Sequence, residues 1–146
     1  MAITSAICNS FKQEILEAEH NFTASTGITF NLALYTSSAT LGAGTTAYTS
    51  SNEITNTSGT AYSAKGKALT SVTPTLDSST AVCHFADVSL TSASFTANGC
   101  LIFNDSHSTD AAGCAVAFGG DKTVSSGTFT IQFPAAAATT AIIRIA

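Results

Sequence analysis

Past Gly27 the apolar residues of this chain recur at every second position, in short bursts separated by Ser, Gly, Asn and Asp. That period leaves antiparallel β-structure as the fold to expect, because side chains alternate between the two faces of a strand. Ile28, Phe30, Leu32 and Leu34 share one face, with Thr29, Asn31, Ala33 and Tyr35 on the other. Further strands are expected over Lys67–Pro74, Ala81–Leu90, Ser94–Phe103, Gly113–Phe118, Thr128–Phe133 and Ala141–Ile145. In Ala81–Leu90, Val82, His84, Ala86, Val88 and Leu90 point one way and Cys83, Phe85 and Asp87 the other. Turn chemistry lies between the strands, at Leu76-Asp-Ser-Ser, Asn104-Asp-Ser-His, Gly119-Gly-Asp and Ser126-Gly. Seven or eight short strands predict one all-β domain over residues 1–146, an antiparallel β-sandwich or jelly-roll-like fold without an internal repeat. Its expected core is Phe30, Leu32, Leu34, Val88, Leu90, Leu101, Phe103, Phe129, Ile131, Phe133, Ile143 and Ile145. The β-branched, nearly uncharged segment Ala141–Ala146 is expected inside a sheet and not at its edge.

Two segments depart from the alternation. Ile7, Phe11, Ile15, Ala18 and Phe22 are spaced by four, four, three and four residues, which predicts one short N-terminal α-helix over about 5–22. Ser10 with Gln13 fits a capping box, and Glu14, Glu17 and Glu19 take the remaining surface. The apolar stripe must fold onto the sheet or dock on a neighbouring subunit. Residues 36–66 are a long Ser-, Thr-, Gly- and Ala-rich loop with Tyr48, Ile54 and Tyr62 as isolated anchors. Its turn signals are Leu41-Gly-Ala-Gly and Ser58-Gly, and a short strand is expected around Glu53–Ile54 or Ala61–Tyr62. A loop so long in a small domain is functional or pinned by a partner.

Composition then excludes whole classes of function. A chain of 146 residues can bury one core without staples. Charged residues make up 10%, against about 25% in an average soluble domain. Thr and Ser fill the gap, with 24 and 19 copies, and 45% hydrophobic content argues against disorder. Five cations and a net charge of −4 cannot line a phosphate channel or hold an anionic membrane. No run approaches the roughly 18–20 apolar residues of a spanning helix. The start Met-Ala-Ile-Thr-Ser lacks the basic and apolar regions of a secretion signal, so the Asn-x-Ser/Thr matches at Asn21, Asn56 and Asn104 carry no weight. Cys8, Cys83, Cys100 and Cys114 lie too far apart for a zinc knuckle or a redox pair, and are expected as free, buried small hydrophobes. A Cys100–Cys114 pairing stays open if their strands are neighbours.

Polar clusters are few. His20 is expected at the helix end, facing the negative end of the dipole, and His84 as a hydrogen-bonded sheet histidine. The densest cluster is Asn104-Asp-Ser-His-Ser-Thr-Asp, where oxygens at 104, 105 and 110 beside His107 could hold calcium. It lacks the spacing and the bidentate Glu of a calcium loop, so a plain turn is expected. Gly42–Gly44 resembles the start of a phosphate loop without its Lys. There is no G-x-S-x-G elbow, no Trp, and only three Tyr to platform a sugar. The expectation is no catalytic, cofactor-binding or metal residue, and no enzyme.

Several stretches carry a resemblance: Phe11-Lys-Gln-Glu-Ile-Leu, Phe30–Gly42, Thr46-Ala-Tyr-Thr, Tyr62-x-Ala-x-Gly-Lys-Ala-Leu, Phe85-Ala-Asp-Val, Ser94-Phe-Thr-Ala and Phe118–Pro134. In their order they resemble a family of small virion proteins of tailed bacteriophages, over nearly the whole chain. The resemblance implies a structural part of the particle, above all a capsid cement or decoration protein. Such a protein is a homotrimer bound to the major capsid protein on the outer capsid surface, after synthesis in the host cytoplasm. It implies no disulfide between Cys100 and Cys114. Alternatives are a head fibre, a tail or neck adaptor, or a host-glycan-binding module of the particle.

Overall fold

In a computed structural model, which describes residues 2–55 and 62–146, the alternating segments form eight strands in two antiparallel sheets, with one short helix. The strands are β1 (Ala6–Ile7), β2 (Phe30–Tyr35), β3 (Lys67–Ala68), β4 (Ser71–Asp77), β5 (Thr80–Phe85), β6 (Val88–Asn104), β7 (Ala112–Ile131) and β8 (Ile143–Ile145), and the helix is α1 (Asn9–Leu16). One sheet runs β1-β7-β6-β2-β3 and the other β4-β5-β8. The all-β, sandwich-like fold stands as expected. The Ser58-Gly turn, Asn56 and Ala61 fall outside the described residues.

Three of the expected short strands are pieces of two long ones. Ser94–Phe103 lies within β6, while Gly113–Phe118 and Thr128–Phe133 fall largely in β7. Gly119 and Gly120 do not turn the chain round. At φ of 73° and 139° they absorb a bulge: β6 advances from Ala97 to Gly99 while β7 advances from Ala117 to Lys122. A second irregularity sits near Ser126, at φ 47°. Such bulges bend and twist a ribbon without ending it. The far half of the β6–β7 ribbon is thereby brought back over the core, where Phe129 meets both Phe95 and Phe118.

All six residues of β2 are buried, so both faces of the large sheet are covered. The face carrying Phe30, Leu32, Leu34, Cys100 and Ile102 is covered by Phe22, Phe85 and Phe133. The face carrying Tyr35, Leu101 and Phe103 is covered by the 36–55 segment, where Tyr48 stacks on Phe103 at 4.9 Å. That segment is pinned by its own chain: Ile54 N–H donates to the Leu34 carbonyl and Tyr35 Oη–H to that of Thr49. Glu53 meets Tyr35 in an isolated bridge, which is what remains of the short strand expected there. Gly99 on this face lets Ile3 lie directly on the sheet; a Cβ there would meet Ile3 at 2.8 Å. Of the expected core only Ile145 stands in solvent, at 57% exposed, while Phe129, Ile131 and Phe133 are half-buried.

The helix is shorter than its spacing predicts. Ile7 belongs to β1, paired with Cys114 of β7, so its backbone is already committed to a ladder. Cys8 is the N-cap without a side-chain bond, and Gln13 donates to Glu17 instead of closing a capping box. Ala18, at φ 61°, ends the helix in a left-handed turn. Phe22 reaches the same core from an extended loop, edge-on to Phe11 at 6.0 Å. A second correction concerns β8, which pairs only with β5 and is therefore an edge. The end strands of both sheets are blunt: β1 and β3 have two residues each, β8 has three, and β4 carries Pro74 at a register shift. The β6–β7 ribbon, in contrast, runs on over 88–98 and 116–131 with no third strand paired beside it among the described residues. Short edges, bulges and proline keep foreign strands from pairing.

Candidate functional site

The polar cluster at 104–110 forms the β6–β7 turn. Asn104 Oδ1 accepts from the N–H groups of Ser106 and His107, which closes the turn locally. The carboxylates of Asp105 and Asp110 converge on Lys65 Nζ, at 2.9 and 3.0 Å. An ammonium thus stands between the oxygens that a metal ion would have needed. Asp105 first, then Asp110, hold the Lys65 ammonium above the ordinary lysine range. Among the described residues no group of three or more His, Cys, Asp or Glu is placed to hold a metal.

His20 does not cap the helix, which ends at Leu16. Its side chain is closed off from solvent between two partners. Asn104 Nδ2 donates to His20 Nδ1 at 3.2 Å and to the Glu19 carbonyl at 3.1 Å. An amide N–H can only donate, so Nδ1 is the acceptor and Nε2–H donates to Glu14 at 2.8 Å. Asn104 therefore ties the loop after α1 to the β6–β7 turn. His107 approaches Glu19 at 3.6 Å, and half-buried His84 pairs opposite Val72. The Gly42–Gly44 turn offers carbonyls and not an anion cradle: Ala43 accepts from Asn9 N–H and Gly42 from the Cys8 thiol.

One polar network escaped the reading of the sequence. Glu53 accepts from Tyr48 Oη–H and from Tyr62 Oη–H, both at 2.6 Å, while Tyr62 Oη accepts from Leu34 N–H at 2.8 Å. Burial first, and the Glu53 contact second, push the Tyr48 hydroxyl up to about 12 and Tyr62 higher still. These hydroxyls are neutral struts that fasten Tyr48, Glu53 and Tyr62 to one another and to β2. The available signal was that Glu53 is the only acid between Glu19 and Asp77, flanked by two of the three tyrosines.

The four cysteines are free and buried. Cys100 and Cys114 lie on adjacent strands but two residues out of register, opposite Val116 and Ile102. Burial pushes Cys8 up to about 11, Cys83 and Cys100 up to about 12, and Cys114 further. The thiol is thus favoured over the thiolate in the folded state. Because these folded values exceed the unfolded value of 9.0, the stabilising contribution is complete below pH 9 and fades as pH climbs through the folded values. Two outcomes are expected. A thiol reagent labels the native protein only as fast as it unfolds. The urea midpoint falls above pH 9, and Cys100→Ala flattens that fall by up to about 1.4 kcal/mol per pH unit. Fast labelling at neutral pH would contradict this.

Several concave surfaces remain among the described residues, the roomiest a polar-rimmed hollow of about 660 Å³ beside Thr4 and Thr45. An apolar cleft of about 440 Å³ opens where the bent ribbon returns, walled by Val116, Phe118, Phe129, Ile131, Phe133 and Ile142, with Lys122 its one charged lining residue. Two smaller hollows lie where α1 meets the three-stranded sheet, of about 320 and 170 Å³. Compared with protein-family models, curated proteins and solved structures, this chain matches none.

Proposed function

We propose that this chain is a structural component of a tailed-bacteriophage particle, a cement protein that binds the outer face of the major capsid protein as a homotrimer. The observation that carries the reading is the solvent side of the β6–β7 ribbon. It is studded with hydroxyls paired across the strands, Thr96 with Thr123 at 2.8 Å and Ser89 with Thr130 at 3.4 Å. A broad, weakly charged strand surface loses little desolvation energy when it packs against another protein. The resemblance over nearly the whole chain contributes the particle and the three-fold assembly.

Particles assembled with and without this chain test the reading. Light scattering should give three times the 14.8 kDa chain mass. Purified particles should carry it at a copy number close to that of the shell protein. Particles lacking it should keep their geometry and lose resistance to heat or low ionic strength. Stripped particles as robust as intact ones would remove the cement assignment, and a copy number fit for a single ring would move the chain to the tail or neck.

A further inference from the structure

We propose that the open lip between α1 and the three-stranded sheet is the surface that grips the partner, and that it fits a polypeptide segment whose apolar anchors are flanked by carboxylates. The inference rests on the assembly reading above and gives that partner a chemistry. Among the described residues the large apolar side chains left exposed are Leu16 at 87%, Leu76 at 73% and Ile145 at 57%. They are not scattered. Leu76 pairs with Ala81, and Ala81 with Ile145, which sets all three on one face of the sheet. Further along β5 the same face sends Cys83 and Phe85 into the core. Ile145 and Leu16 line the larger hollow together, and Ile15, Ile143 and Ile145 continue into the smaller one, beside Pro74 and Ala81. The inner face of the small sheet thus runs on past the core that should cover it. Contiguous exposed apolar surface of this kind marks an interaction site, whereas isolated apolar residues do not.

Charge decides among the occupants. The charged residues lining the two hollows are Lys12 and Arg144, with no carboxylate. Lys12 Nζ donates to Asn9 Oδ1 and Arg144 to the Ala138 carbonyl, and neither meets an acid among the described residues. In a chain of nine acids and five cations, the charged residues that line this open apolar surface are both cations. A second copy docked over these hollows by a two-fold axis would bring cation to cation. An anionic bilayer would have to accommodate Glu17 and Asp77, exposed and directly following Leu16 and Leu76. A polypeptide places its anchors and its acids one by one.

The test uses the full chain, purified shells lacking it, and synthetic peptides tiled along the shell protein. Leu16→Ser/Ile145→Ser and Lys12→Glu/Arg144→Glu should keep the melting temperature and oligomeric mass of the parent. Each should weaken binding to shells by about tenfold or more. The charge-reversed variant should also lose the salt dependence of association. The peptides retained by the parent should carry Asp or Glu beside large apolar residues. If the parent binds shells and the variants bind equally well, the lip is not the grip and the cement reading stands. A parent that binds no shell removes the cement reading itself. Variants that lose oligomeric mass would make the lip a contact between copies. Binding of the parent, but not the variants, to phosphatidylglycerol vesicles would make it a membrane surface. Either result overturns the inference.

Discussion

Phe30→Ala should lower the melting temperature by about 6–20 °C. Phe30 is 1% exposed and sits at the centre of the aromatic group that joins the two sheets, the helix and the loop after it. Phe22 stacks on it at 4.3 Å with the rings almost parallel, Phe85 approaches at 5.9 Å and His20 at 6.1 Å. Truncating a buried Phe costs about 3–5 kcal/mol, because the transfer energy is lost and a cavity remains. Each kcal/mol moves the transition of a chain this long by about 2–4 °C. Leu16→Ala is the control: at 87% exposed it should shift stability by no more than about 0.5 kcal/mol. Equal melting of the two variants would show that the ring cluster does not hold the layers together.

Asn104→Ala should cost about 3–6 kcal/mol by urea denaturation, close to the whole stability of a marginal domain. The side chain is 1% exposed and serves four partners. Its oxygen accepts from Ser106 and His107, and its amide donates to the Glu19 carbonyl and to His20. Removing it strips one buried and three part-buried hydrogen bonds at once, each lost partner costing up to about 1–3 kcal/mol. Asn104→Asp separates the two halves, since it keeps the acceptors for the turn and loses both donors to the 19–20 loop. It should fall between the parent and Asn104→Ala. If Asn104→Ala unfolds at the parent's urea concentration, the turn and the loop are held by something other than this amide.

The strands were legible because a period of two is written locally, and β2 lies close to where alternation places it. The single strand expected over Ala81–Leu90 is instead broken at Ala86–Asp87, its first half in β5 of the small sheet and its second in β6 of the large one. An unbroken alternation does not show that break. The length of the ribbon was not legible either. A Gly-Gly-Asp run reads as a turn, yet its positive φ values serve a bulge equally well, and only the partner strand β6 decides which forms. Nor was the helix end legible. Ile7, Phe11, Ile15 and Phe22 do converge on one core, but from a strand, a helix and a loop, and side-chain spacing cannot separate these routes. At the candidate site, the Asn104–Asp110 turn was visible as a turn from its composition. The Lys65 that fills it comes from the far side of the sequence, and sequence order gives no sign of that approach. Ile145 was placed in the core because its pattern is apolar; the pattern does not say that the small sheet outruns the core at that end.

The register of the large sheet also sets the order in which the chain can acquire its structure. Residues 30–35 find their ladder on 99–104, and residues 6–7 on 114–115. Residues 6–35 are therefore made before the strands on which they rest. Closing loops of that size before any contact rewards them places the molecule among slow, non-local folders. The β6–β7 hairpin, whose strands meet across a short turn, is the one large element that can assemble from neighbouring sequence. It offers a template on which the earlier segments can settle, so a later stretch of sequence organises strands that precede it.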